Sequence, residues 1–220
     1  EVLVRAVDDS LNMPVITSLP SLTIDVTAPN IPEVVNLLSP FETFNGTLSN
    51  DNTAVELGTQ FTTTVAGEIT ELRYYRHKAD SADTDIRDGH LWTDTGELLA
   101  TATFTSAPGE FGWQVAVLDA PIILDAGAEY TVSYSTLDNY VATKSFFTGG
   151  YEEPYGIIAA PDSQSGVYAY GPNPTFPQSS FNGTNYWVDV SFSRLDVGNA
   201  APTITSDDAF VAAENSTAVA

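Results

Sequence analysis

Between Gly89 and Phe104 the chain reads GHLWTDTGELLATATF, an apolar alternation, a turn and a second alternation, and this is the pattern of a β-hairpin. Leu91 and Trp92 on one arm, with Leu98, Leu99, Ala102 and Phe104 on the other, offer apolar side chains to a pleated surface, while Thr93-Asp94-Thr95-Gly96 supplies the turn. No helical period persists over any long window, so the fold must be built from strands. The clearest strand candidates are Ala54 to Thr64, Gly67 to Arg76, His90 to Trp92, Leu98 to Thr105, Gly112 to Val117, Glu129 to Thr136 and Tyr186 to Arg194. They are short, bounded by Gly, Asn, Asp and Pro, and spaced as in sandwiches. Glu129 to Tyr134 alternates cleanly and places Tyr130, Val132 and Tyr134 on one face. Gly67 to Arg76 alternates imperfectly, which predicts a bulge or burial on both sides. Pro121 to Leu124 followed by Ala126 to Tyr134 predicts a strand, a glycine turn and another strand. The expected fold is all-β, a two-sheet antiparallel β-sandwich of jelly-roll type.

Of the 220 residues, 43% are hydrophobic and 11% aromatic, enough to bury a sizeable core. Seven Lys and Arg face 29 Asp and Glu, and the formal charge of −22 opposes binding to nucleic acid or to an anionic membrane surface. The same surplus suits hard divalent cations, above all Ca²⁺, which takes oxygen ligands; the plainer reading is a well-solvated surface. With no cysteine, disulfides and thiolate metal sites are excluded. No apolar run is long enough to span a bilayer as a helix, so direct membrane insertion is not expected. A disulfide-free, acidic, lysine-poor composition rich in Thr, Gly and Asn points to an extracellular or cell-surface setting.

Val55-Glu56-Leu57-Gly58-Thr59-Gln60-Phe61, Gly89-His90-Leu91-Trp92, Gly112-Trp113-Gln114 and Asn185-Tyr186-Trp187-Val188-Asp189-Val190 together form a longer pattern from about Asn36 to Leu195. This pattern resembles a bacterial family known as domain of unknown function 4082. The resemblance implies the fold of residues 36–195 and leaves the activity open.

On either side the sequence changes character. Residues 1–30 read as the closing end of a preceding immunoglobulin-like or cadherin-like domain, and Pro29 and Pro32 mark an extended linker. Residues 196–220 resemble a linker and the start of a following cadherin-like repeat, in which Asp196, Asn199 and Glu214 would carry over the interdomain Ca²⁺ ligands. The expectation is a module of a large adhesin-type protein, with tandem domains of the same chain as neighbours.

Two acids, Glu56 and Asp189, lie inside apolar strands. If the first and last strands of the module pair, the two carboxylates meet, and with Asp51 and Asn52 they would hold a structural Ca²⁺; the alternative is that each faces solvent. His77 to His90 is a polar loop whose Asp80, Asp83, Asp85 and Asp88 follow no EF-hand or nonapeptide spacing. His90 is expected to be a strand residue packing near Trp92, and all three tryptophans are expected in the core.

The segment from Asp138 to Asn185 is rich in aromatic residues, glycines, prolines and amides, and loops of such length are usually functional. Flat rings match the C–H faces of sugars, and amides and phenols read sugar hydroxyls. Tyr151, Tyr155, Tyr168 and Tyr170, with Asn173 and Gln178, are the candidate ligand-binding residues. The alternative is a loop-borne mini-core, which suits Phe146, Phe147, Phe176 and Phe181 better. No GxSxG elbow, P-loop or dinucleotide fingerprint occurs, and no local pattern marks the facing carboxylates of a glycosidase, so an enzyme is not expected. The expected function is non-catalytic, lectin-like binding of a polysaccharide or cell-surface glycan, with structural calcium. A ligand-free spacer in an adhesin stalk and an accessory domain of a secreted carbohydrate-active enzyme are the alternatives.

Overall fold

In the computed structural model, which describes residues 33–38 and 44–195, the alternating segments pair into strands joined by turns. In chain order these are β1 (Val34–Val35), β2 (Thr47–Asn50), β3 (Val55–Thr63), β4 (Gly67–Arg76), β5 (Arg87–Thr93), β6 (Leu98–Phe104) and β7 (Gly112–Leu124). They continue with β8 (Glu129–Thr136), β9 (Asn139–Ala142), β10 (Tyr151–Glu152), β11 (Ile158–Ala160), β12 (Gly166–Tyr170), β13 (Ser179–Ser180) and β14 (Val188–Arg194). A single 3-10 turn at Lys78–Asp80 is the one helical element among the described residues. Residues 31–197 form one compact unit. The flanking repeats expected at 1–30 and 196–220, with Asp196, Asn199 and Glu214, lie outside the described residues.

The strands form a β-sandwich. One sheet has the order β1-β14-β4-β7; the other runs β10-β11-β3-β8-β5-β6, with β12 added beside β3 and β13 beside β12. The chain changes sheet at β3 to β4, β4 to β5, β6 to β7 and β7 to β8, so the two layers are sewn together along their length. β5 and β6 make the expected hairpin, closed by Thr93 N–H to Glu97 O at 3.0 Å, with Gly96 at φ +86° in the turn. The bulge expected in β4 falls between Ile69 and Glu71. The strand expected at Pro121 to Leu124 is the far half of β7, which continues without a break from Gly112.

The core lies between the layers. Leu57 and Phe61 of β3, Leu91 of β5, and Val132 and Tyr134 of β8 meet Ile69, Leu72 and Tyr74 of β4 and Val188, Val190 and Phe192 of β14. All are essentially inaccessible to solvent. Each such burial contributes about 1.5–3 kcal/mol. Tyr130, Val132 and Tyr134 share the inner face of β8, as their alternation requires.

A second, smaller cluster covers the outside of the β4 sheet. Leu38, Val141 and Trp187 are buried there with Phe44, Tyr75, Trp113, Phe146 and Tyr151 packed against them. Phe44 stacks on Tyr75 at 3.8 Å between centroids, and both Phe44 and Phe146 meet Trp187. From the aromatic-rich segment after β9, Phe146 and Tyr151 join this cluster, whereas Phe147, Ile157, Ile158 and Ala160 are buried in the main core. The two ends of that segment meet where Thr143 and Asn185 exchange two backbone hydrogen bonds of 2.9 Å.

Within that segment β11 and β12 run along the same edge of β3. Ile158 and Ala159 lie opposite Thr63 and Thr62, and Gly166 to Tyr170 lie opposite Thr59 to Val55. They amount to one edge strand interrupted by residues 161–165, and Gln60 N–H holds the interruption down through Ser165 O at 2.7 Å.

Candidate functional site

Glu56 and Asp189 do not meet. The expectation that they share a calcium site fails because β14 pairs with β1 and β4 and not with β3, so the two acids sit in different sheets. Asp189 is fully buried and saturated by donors. Its Oδ1 accepts the N–H groups of Leu37 (3.0 Å) and Val190 (2.7 Å), and its Oδ2 accepts Leu38 N–H (2.9 Å) and Arg73 Nε (3.1 Å) and Nη2 (2.5 Å). A carboxylate surrounded by five N–H donors, two of them from a guanidinium, is already neutralised and presents no free face to a cation.

Glu56 is held by protein groups through one oxygen only, and its buried Oε2 has no hydrogen-bond partner among the described residues. Because Leu57 and Phe61 face the core, Glu56 lies on the outer face of β3, yet it is 2% exposed. Its Oε1 lies 2.7 Å from His90 Nδ1 and accepts Ser133 Oγ–H at 2.5 Å, and Ser133 Oγ accepts Trp92 Nε1–H at 2.8 Å. Three neighbouring strands thus contribute one polar network. The segment from Gly171 to Gln178 lies over it. Phe176 meets Trp92 at 5.6 Å, Asn173 Nδ2 donates to Asp88 Oδ2 at 2.8 Å, and Pro177 packs where a side chain on Gly58 would stand. His90 and Trp92 are ring neighbours at 5.6 Å, as expected.

Asp51 and Asn52, expected as helpers of Glu56, lie on the exposed turn after β2. Asn52 has φ +52° and its N–H bonds Asn50 Oδ1 at 2.6 Å. Asp51 instead gathers tyrosines. Its Oδ2 accepts the hydroxyls of Tyr170 at 2.7 Å and Tyr140 at 3.1 Å. Tyr168 stands edge-on to Tyr170 at 5.6 Å, and buried Tyr186 stands edge-on to Tyr140 at 6.1 Å. Tyr170 is 55% exposed, so the cluster opens to solvent at its Tyr170 end. The bond to Asp51, followed by partial burial and the carboxylate charge, raises the Tyr170 pKa; burial first, then Asp51, raises that of Tyr140. Both hydroxyls are held as neutral donors.

The other expected ligand residues separate. Tyr151 is partly buried beside Phe146, packed against both clusters. Tyr155 is exposed on a turn whose N–H groups, with those of Ile157 and Ile158, bind the buried Glu153 carboxylate. Asn173 holds Asp88 in the covering segment, and Gln178 is exposed further along it. Of the six, only Tyr168 and Tyr170 share a surface through a ring contact.

In the polar loop, buried Asp80 and half-buried Asp83 both pair with Arg87 Nη2 at 2.9 Å. Burial, the largest influence, raises the Asp80 pKa against the opposing pull of Arg87. Carboxylate oxygens of Asp83, Asp85 and Asp138 lie within 4.8 Å of one another. Asp138, from the β8 to β9 turn, is distant in sequence, which is why no local spacing signalled the approach.

One feature escaped the reading of the sequence altogether. Trp113 packs on the outer cluster and not between the layers, and it is only partly buried. An open cleft of about 540 Å³ is lined by Thr105, Glu110, Phe111, Trp113, Gln114 and Val115, among others, at the start of β7. The Arg73 guanidinium lies 4.2 Å from the centre of the Trp113 ring, and Tyr75 meets the ring edge at 5.6 Å. Phe111 is 51% exposed, with Lys78 Nζ 5.5 Å from its centre. The only signal in the sequence was Phe111-Gly112-Trp113-Gln114 directly after the turn residues Pro108-Gly109.

Fold and surface define an all-β module whose exposed tyrosines are organised by a carboxylate. A family model described as "Domain of unknown function (DUF4082)" matches residues 42–188, and the chain belongs to that family. Among curated proteins no sequence matches it.

Proposed function

We propose that this chain is a non-catalytic glycan-binding module of a large bacterial extracellular or adhesin-type protein. The observation that carries the reading is the Asp51-centred tyrosine surface. Tyr168 and Tyr170 supply ring faces and edges for sugar C–H groups, and Asp51, Tyr140 and Tyr170 supply fixed polar groups for hydroxyls. Hydrogen bonding to Asp51 sets the Tyr170 ring before any ligand arrives, so less side-chain entropy is lost on binding. The charge of −22 favours neutral over anionic glycans. A single carboxylate among phenols is a binding arrangement; hydrolysis of a glycosidic bond uses two carboxylates across the sugar. Calcium, proposed with this function, no longer has Glu56 and Asp189 behind it; the acidic surplus and the approach of Asp83, Asp85 and Asp138 are what support it.

Retention on neutral polysaccharides in affinity electrophoresis, with and without Ca²⁺, tests the reading. Tyr170→Ala should lose retention while the melting temperature stays close to that of the parent, because the ring is half exposed. Equal retention of parent and variant, or none by either, would reject the tyrosine surface as the site and favour the ligand-free spacer.

A further inference from the structure

We infer that the cleft at the head of β7 is a second glycan subsite, taking a neutral pyranose against Trp113 and Phe111. The inference rests on the glycan-binding reading and adds a site in the other sheet. Three observations lead to it. First, Trp113 is clamped, with Arg73 at its face and Tyr75 at its edge, and Arg73 is itself fixed by the buried Asp189. A ring held in this way loses little freedom when a ligand covers it. Second, the lining mixes ring surface with hydrogen-bonding groups. Gln114 Nε2 donates to Gly112 O at 3.2 Å and Glu110 Oε2 accepts Ala107 N–H at 2.8 Å, so both polar side chains are oriented by the backbone of the cleft itself. Thr105 is exposed on the opposite wall. Third, the backbone beside the rings is uncrowded. Gly109 and Gly112 have φ of +91° and +89°, and a Cβ at either would meet nothing within 4 Å. A sugar ring needs a flat apolar platform flanked by fixed polar groups, and the cleft provides both. The large negative charge of the chain selects an uncharged sugar over a uronate.

The three tryptophans separate this site from the tyrosine surface. Trp92 and Trp187 are 4% and 1% exposed, whereas Trp113 borders the cleft. Tryptophan emission and its quenching by acrylamide therefore report on the cleft. The 220-residue chain is titrated with cellohexaose, laminarihexaose, mannohexaose and xylohexaose, and retention on the parent polysaccharides is measured in parallel. The expected result is a saturable emission change and reduced quenching with at least one probe. Phe111→Ala should weaken it about tenfold or more with an unchanged melting temperature, Phe111→Tyr should restore it, and Tyr170→Ala should leave it in place. If a probe is retained through Tyr170 but leaves tryptophan emission and quenching unchanged, the cleft is not a subsite while the tyrosine reading stands. If no probe is retained and none alters emission, the glycan reading and the second subsite fall together.

Discussion

Asp189 Oδ2 lies 2.5 Å from Arg73 Nη2 across the β4 and β14 pair, and Arg73 Nη2 also donates to Leu38 O. This ion pair joins the edge segment before β2 to the middle of a sheet and stiffens the ring that borders the cleft. Asp189→Ala would leave a buried guanidinium and the N–H groups of Leu37 and Leu38 without their acceptor. The expected loss is about 3–5 kcal/mol, read as a lower urea midpoint with little change in slope. Combining it with Arg73→Met should cost less than the single change, since no isolated charge then remains.

Glu56→Ala should destabilise the chain by about 1–3 kcal/mol, because His90 and Ser133 lose a buried acceptor. The loss should be the same in EDTA and in millimolar Ca²⁺, measured by thermal melts. A Ca²⁺-dependent melt that the substitution abolishes would put a cation back on Glu56.

In alkaline titration followed by phenolate absorbance, Tyr170 should ionise above the ordinary 10.0 despite its exposure. Asp51→Ala removes the first cause of that shift, the hydrogen bond, together with the carboxylate charge. Tyr170 should then move down toward 10.0, while Tyr140 stays raised because burial is its largest cause.

The raised pKa of Asp80 sets a sign for stability against pH. Between the ordinary 3.8 and the higher folded value, the folded chain holds more protons than the unfolded one. Its contribution is therefore full below 3.8 and is lost as pH rises through the folded pKa. Asp80→Asn should flatten the melting temperature against pH across that interval; an unchanged profile would contradict this origin.

Gly166→Ala tests how closely the interrupted edge strand is seated. A Cβ there would stand 1.6 Å from Thr184 O, in backbone that cannot move without breaking the β12 pairing with β3. The expected cost is about 3 kcal/mol or more, with loss of glycan retention because Tyr168 and Tyr170 ride on the same strand.

What could be read from the sequence was what neighbours in the chain decide. The hairpin at Thr93 to Gly96, the inward set Tyr130, Val132 and Tyr134, and the bulge after Ile69 all follow from local alternation and turn chemistry. Partners distant in the chain did not. Glu56 was assigned to Asp189 by assuming that terminal strands pair; its partners are His90 and Ser133, brought in by β5 and β8. Asp51 was read as a cation ligand, and what organises around it are phenols from β9 and β12. Trp113, expected in the core, packs on the outer cluster and not between the layers for a further reason. In β7 the buried face carries Gln114, Ala116 and Leu118, while Val115 and Val117 are 48% and 70% exposed. Large rings such as Tyr74 and Phe104 already fill the space inside, so the smaller residues turn inward and hydrophobicity alone gives the wrong face.

The paired backbone bonds between Thr143 and Asn185 fasten the aromatic-rich segment like the neck of a bag. The two ends of the segment are thereby held at a fixed spacing, whatever lies between them. Recombination at that neck would exchange Tyr168 and Tyr170 together, so long as the incoming segment brings a strand to cover the edge of β3 and apolar side chains to replace Phe147, Ile157, Ile158 and Ala160 in the core. A lineage could therefore vary this surface far faster than it varies the fold.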